Sequence, residues 1–360
     1  MKVAVLSFAH EHAGTYARLL HGMPDVDLVI ADPGGSPRDP RRGREAAGRL
    51  GAVYTDSWDE VFALRPDAVV VTSETGLHRE LIERAAAAGA HVLCEHPVAA
   101  GEADADAAVR ACAEAGVRLA LASPACFGPA FAALRRQLAE GDALGSLTTV
   151  LGAYNKPWNA ARSGAAARGV LDSTAPQLLD MVDAVLGGAP AEQVYAQANS
   201  ILASASGGAE PGVESAALVT VRYADGTVVS LDCGAGPARQ EPAAGGPALT
   251  LIGDRGSIEF TATPRLVGGF DAATSRERWE TRGKDPDAVM LAGFLAAIGE
   301  GARRADADPD NGPGPDGAAG LRTLRIVQAA RASLRTGRPV TLTAPPPQSG
   351  PQAEPRPARA

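Results

Sequence analysis

The residues of this chain able to carry protons near neutral pH are few and unevenly placed. All six histidines lie in the first hundred positions: His10, His12, His21, His78, His91 and His96. Lysine occurs only at Lys2, Lys156 and Lys284. Imidazole is the one side chain whose unperturbed titration falls between pH 5 and 8, so acid–base chemistry draws on this short supply. Two of the histidines sit in LSFAHEHAGTYA, residues 6–17, immediately after the apolar run KVAVL. A third, His96, stands between Glu95 and Pro97, after HVLC. Lys156 lies in YNKPWNAAR, with Trp158 and Arg162 beside it, where an ammonium can reach a cleft or sit in a solvated loop.

An apolar run followed by a tight turn and a helix is the opening of a dinucleotide-binding unit, whose turn carries G-x-G-x-x-G. Here the three glycine slots read Ser7, Ala9 and His12. The glycines serve the turn, the close approach of pyrophosphate and helix–strand packing. Small side chains at two slots weaken that approach without abolishing it, because the helix N-terminus keeps its free N–H groups. His10 and His12 are placed either to donate to a phosphate or to pack the turn as polar loop residues. Asp32 ends the second apolar run at the distance expected of an acid on the ribose 2′-hydroxyl. It favours NAD over NADP, although Arg38, Arg41 and Arg42 follow and suit a 2′-phosphate. His10-Glu11-His12 also has the H-x-H form of metal-dependent β/α-barrel hydrolases. Those need further ligands on later strands, usually histidines, and none follows His96, so no metal site is expected.

The elements that must position these groups follow from patterning. The chain has 360 residues, 45% of them hydrophobic, which suggests two domains. Residues 1–121 alternate short apolar strands with amphipathic helices, and DAVVVTS is an unbroken apolar strand suited to a parallel sheet covered on both faces. This is an α/β doubly wound, Rossmann-like domain. Residues 122–345 change texture. After the helix FGPAFAALRRQLAEG come LTTVLGAY, then VLDSTAPQLLDMVDAVLGG as one helix, then alternating strands. ADGT and GDRG are hairpin turns. Two helices, DAVMLAGFLAAIGEGA and DGAAGLRTLRIVQAARASL, close an α+β domain with a largely antiparallel open sheet. Residues 346–360 form a Pro-rich disordered tail, and the segment ADADPDNGPGPDG is a mobile linker.

A net charge of −8 argues against a nucleic-acid surface. No apolar run is long enough to span a membrane. The N-terminus lacks a signal-peptide pattern, and Cys94, Cys112, Cys126 and Cys233 are widely spaced without C-x-x-C. A cytoplasmic protein with free thiols is therefore expected, with Cys126 and Cys233 as buried small apolar residues.

Three stretches resemble the Gfo/Idh/MocA oxidoreductases: DAVVVTSETGLHRELIERAAAAGAHVLCEHPVA, RGVLDSTAPQLLDMVDAVLGG and LRTLRIVQAARASLRTGRPVTL. The resemblance implies NAD(P) on the first domain and a small-molecule substrate, a sugar-like or other hydroxy/oxo compound, on the second. It implies hydride transfer between them, and a homo-oligomer built through the C-terminal sheet. It places Thr72, Ser73 and His78 in a loop packed against the cofactor, with Ser7, Ala9, His10, His12, Asp32 and Glu95 completing that site. The chain departs from the family where the chemistry sits. The family's Glu-Lys-Pro is Glu95-His96-Pro97, its helix histidine aligns with Gln177, and an aspartate of the same motif becomes Ser173, while Asp180 is kept. Glutamine hydrogen-bonds a hydroxyl but does not take its proton. The expected catalytic set is therefore His96 for proton transfer, Gln177 and Asp180 to orient substrate, and Lys156 as a replacement positive charge. The alternative is a member that has lost dehydrogenase activity, a ligand-binding protein or one using the cleft for another reaction.

Overall fold

The computed structural model describes residues 1–34, 42–140, 143–157, 169–205, 213–236, 246–262, 265–271, 273–282, 284–299 and 314–343. The linker and tail read from the sequence lie largely outside them, as do Arg38, Arg41, Trp158 and Arg162.

The first domain is built on β1 (Lys2–Leu6), β2 (Asp27–Ala31), β3 (Val53–Thr55), β4 (Ala68–Val71), β5 (His91–Cys94) and β6 (Leu119–Leu121). They form one parallel sheet in the order β3-β2-β1-β4-β5-β6. The order reverses between β1 and β4, which opens a crevice beyond the strand C-termini at that point. The central strands are buried on both faces, which is why they read as unbroken apolar runs. Helices α1 (Ala13–His21), α2 (Gly43–Leu50), α3 (Trp58–Ala63), α4 (His78–Ala87) and α5 (Glu102–Ala115) supply the crossovers.

The second domain opens with α6 (Pro129–Glu140) and β7 (Leu147–Pro157). The stretch read as one helix is two, α7 (Val170–Ser173) and α8 (Ala175–Val185), broken at Thr174. Pro176 in the first turn of α8 explains the break, since proline suits a helix start and not an interior. After β8 (Ala191–Asn199) and the short α9 (Ile201–Ala205) come β9 (Ala216–Tyr223), β10 (Val228–Gly236), β11 (Ala248–Gly253) and β12 (Ser257–Thr261). With the terminal strand β15 (Val340–Thr341) they give a sheet ordered β12-β11-β7-β10-β9-β8-β15. Every pairing in it is antiparallel except β7 with β10. A separate hairpin, β13 (Arg265–Asp271) and β14 (Arg276–Arg282), was not foreseen from the sequence. Helices α10 (Pro286–Ile298) and α11 (Gly317–Thr336) complete the fold. Among the described residues, no helix is long and apolar enough to cross a membrane.

The C-terminal helix joins the two sheets. Its N-terminal approach bonds β6, with the Leu121 amide donating to the Pro315 carbonyl at 2.9 Å. On its other side the Ser333 hydroxyl accepts from the Ala196 amide of β8 at 3.1 Å. Gly320 allows this approach, because a Cβ there would stand 2.9 Å from Leu121 Cδ2 and 3.0 Å from its Cγ. Gly320→Ala is therefore expected to lower stability by about 1–3 kcal/mol through overpacking, read as a drop in the urea midpoint at unchanged slope.

Candidate active site

The loop after β1 keeps the shape of a glycine turn without the glycines. Ser7 has φ +73°, the left-handed conformation that costs an L side chain about 1–2 kcal/mol. The surroundings hold it there: its amide donates to the Ala31 carbonyl at 2.7 Å, and the Thr72 hydroxyl donates to its carbonyl at 2.7 Å. The amides of Ala9 and His12 reach only long partners, Ser7 Oγ at 3.3 Å and His10 Nδ1 at 3.4 Å. Such weak bonds exchange readily for a phosphate oxygen, and α1 begins directly behind. The loop thus fits a dinucleotide: Ser7, Ala9 and the start of α1 would hold the pyrophosphate.

Asp32 is 1% exposed and carries four donors. Arg42 pairs with it through Nε (2.8 Å) and Nη2 (2.7 Å), while the Gly43 and Phe8 amides donate at 2.9 and 3.2 Å. The strand-end acid therefore ties the first loop to the start of α2, and a ribose hydroxyl at Asp32 would have to share it with Arg42. Thr72, Ser73 and His78 are buried and shape the loop from within. Ser73 donates to the Glu74 carbonyl at 3.1 Å, and the His78 ring nitrogens lie 2.8 Å from the Pro97 carbonyl and 3.0 Å from the Ser73 carbonyl.

The two loop histidines turn to Glu95. His10 Nδ1 stands 3.2 Å, and His12 Nδ1 3.0 Å, from the same carboxylate oxygen, with the Tyr16 hydroxyl 3.3 Å from His12 Nδ1. Burial alone would raise the Glu95 carboxyl, but the two imidazoles prevail and hold it well below the usual carboxylate range. His96 points the other way. Its Nε2 meets Asp180 Oδ2 at 2.7 Å, and the Thr323 hydroxyl of α11 donates to Asp180 Oδ1 at 2.9 Å. Both partners are buried. His96 and Asp180 thus form a pair between the domains, set back from the cleft wall.

The cleft, of about 570 Å³, lies between the β1–α1 loop and the second domain. Glu11, His12 and Thr15 face it from one side, and Tyr154, Lys156, Gln177 and Asp287 from the other. Of the expected catalytic residues, Lys156 and Gln177 line it. Lys156 belongs to β7 and not to a loop; its Nζ donates to the Ser173 carbonyl at 3.0 Å and lies 5.1 Å from the Tyr154 ring centre. Burial lowers its pKa against the opposing pull of Glu95 and Asp287. Asp287 is the cleft residue sequence reasoning missed. Its signal, DPD at the start of a helix, is that of an ordinary cap.

A parallel nucleotide-type sheet in the order 3-2-1-4-5-6, with a polar cleft against a second antiparallel sheet, is the architecture of a two-domain dehydrogenase. Residues 36–123 match the family described as "Oxidoreductase family, NAD-binding Rossmann fold", and residues 131–259 match the GFO/IDH/MocA C-terminal domain. The chain belongs to the Gfo/Idh/MocA oxidoreductases. The matched segment starts after the altered first loop. D-apiose dehydrogenase of Paraburkholderia graminis is 27% identical over 342 residues, 90% of this chain and 86% of that protein. 1,5-Anhydro-D-fructose reductase of Ensifer adhaerens is 32% identical over 168 residues, 45% of this chain and 48% of that protein. Among solved structures, GenD2 from gentamicin A biosynthesis in complex with NAD superposes with a TM-score of 0.76 at 23% identity, covering 96% of this chain and 97% of that one.

Burial raises the Asp287 carboxyl above its ordinary 3.8, more than His12 lowers it. A carboxyl raised in the folded state favours folding fully below its unfolded value and loses that contribution as pH climbs through the folded value. Asp287→Asn is therefore expected to be more stable than the parent at pH 7, with the gap narrowing toward pH 4, as measured by urea unfolding across that range.

Proposed function

We propose that the chain is a nicotinamide-dependent dehydrogenase or reductase of a sugar-like hydroxy or oxo compound, with NAD preferred. The observation that carries this reading is the cleft, where the rebuilt first loop faces Lys156 and Gln177 across a space of sugar size. The names of the two relatives, one acting on D-apiose and one on 1,5-anhydro-D-fructose, support the substrate class. Nicotinamide, when bound, accepts or returns the hydride.

The chain's own residues do the rest. Gln177 hydrogen-bonds a substrate hydroxyl. Lys156, on the same wall and with its pKa lowered by burial, exchanges the proton of the reacting oxygen, while the buried His96–Asp180 pair, set back from the cleft, ties the Glu-His-Pro turn to the second domain. Asp32 serves the adenosine ribose, and Arg42 opens toward solvent when it does. The outward face of the second sheet exposes Leu151 (45%), Leu218 (55%) and Val228 (39%), which supports a homo-oligomer through that face. Unpaired thiols favour a reducing compartment such as the cytoplasm.

Fluorescence titration of the purified protein is expected to give tighter NADH than NADPH binding, with Asp32→Ser narrowing or reversing the difference. Lack of saturation by either nucleotide would sink the reading. Turnover of D-apiose and 1,5-anhydro-D-fructose with NAD or NADH supplies the second measurement. On whichever is a substrate, Lys156→Ala is expected to lower kcat about 100-fold or more. A loss within about tenfold, ~1.4 kcal/mol of barrier, removes Lys156 as the proton carrier.

A further inference from the structure

We propose that His10, His12 and Glu95 form a binding site for one divalent transition-metal ion of the zinc class, at the wall of the cleft. The three side chains each offer one ligand atom, and these lie within 4.8 Å of one another. Zinc bonds to nitrogen and carboxylate oxygen are about 2.0–2.2 Å, which places neighbouring ligands of a tetrahedral site about 3.3 Å apart. Two edges of that figure already exist, at 3.2 Å from His10 Nδ1 and 3.0 Å from His12 Nδ1 to Glu95 Oε1. The third, between the two imidazoles, is within 4.8 Å and shortens to this value when the ion draws the rings together.

The backbone fixes the donors before any ion arrives. The His10 amide donates to the Thr72 carbonyl, and the Glu95 amide to the Val71 carbonyl, each at 3.0 Å. Both residues therefore hang from the C-terminal end of β4, one from its last residue and one from the residue that follows. Among the described residues no lysine or arginine forms an ion pair with Glu95; its buried charge is met by the two imidazoles and the Tyr16 hydroxyl. The His12 amide also points at His10 Nδ1, at 3.4 Å. Either imidazole can give up the Nδ1 proton that it shares with Glu95, which leaves two nitrogen lone pairs and a carboxylate oxygen facing one point, the donor set of a divalent cation.

The second nitrogen of His12 faces a carboxylate, Nε2 lying 3.9 Å from Glu11 Oε1, a separation that a small shift of the exposed Glu11 side chain converts to the hydrogen bond common around metal-bound histidines. The open side is the cleft, which His12 lines. Three protein ligands with one free position is the arrangement of catalytic and not structural zinc, the fourth ligand being water or a substrate oxygen. Resting on the oxidoreductase reading, the ion would polarise the reacting oxygen from the side where the chain has no lysine in its Glu-His-Pro turn.

The test uses the full-length, tag-free, chelator-stripped protein. Zinc is titrated by calorimetry and cobalt(II) by visible absorption. Expected are one equivalent of zinc and a four-coordinate cobalt spectrum without thiolate charge-transfer bands. His12→Gln and Glu95→Gln are expected to weaken binding about tenfold or more, whereas His21→Gln, on an exposed residue, leaves it unchanged. The parent protein decides the matter even where a variant fails to fold: no saturable zinc binding, or a thiolate cobalt spectrum, overturns the site. So does binding retained in the folded double variant His10→Gln/His12→Gln. The NADH titration is independent of this one, so loss of the nucleotide reading and loss of the metal site are told apart.

Discussion

Among the described residues, three carboxylates have been taken out of water, and each must be met by donors or the fold loses several kcal/mol. Asp32 is met by Arg42 and two amides, Glu95 by His10 and His12, and Asp180 by His96 and Thr323. Each pairing joins segments far apart in sequence. The first fixes the opening loop against α2, and the second draws that loop onto the end of β5. The third docks the second domain, through α8 and α11, on the residue next to Glu95. The adjacent side chains of Glu95 and His96 thus act in opposite directions from one strand end. The cleft is the space these ties leave between them.

This explains how a chain without the glycine signature keeps a working turn. Ser7 sits in the left-handed region because Thr72 and Ala31 grip its backbone on both sides. The strain is local, and the pairing of Glu95 with the loop histidines helps hold it. The altered loop and the Glu-His-Pro turn are therefore connected: His12, at the third glycine slot, and His10 beside it are the partners of the acid in that tripeptide.

Much of the fold was legible because local chemistry announced it. KVAVL and DAVVVTS gave buried parallel strands, and ADGT, with Gly226 at φ +90°, gave the β9–β10 turn. The break at Thr174 was legible too, in the proline two residues on, but the apolar periodicity across it read as one helix. The β13–β14 hairpin was missed because its Gly268-Gly269 pair interrupts the alternation that marks a strand. The site was harder. Lys156 and Gln177 could be named as candidates from the sequence, but Asp287 enters the cleft from α10, more than a hundred positions after either. Nothing local separates it from a capping acid. The facing of Glu95 and His96 to opposite partners is likewise set by tertiary packing and leaves no trace in residue type.

All four thiols are buried, one at the end of β5 (Cys94), one on α5 (Cys112), one at the junction before α6 (Cys126) and one in β10 (Cys233). Burial pushes every one of them up, Cys112 to about 11 and Cys233 to about 12. At neutral pH almost none of the nucleophilic thiolate exists while the fold is closed. Reaction with a small alkylating reagent then waits on local opening. The order in which the four positions become labelled would rank the opening free energies of the first sheet, the junction and the second sheet, with the native sequence as its own reporter.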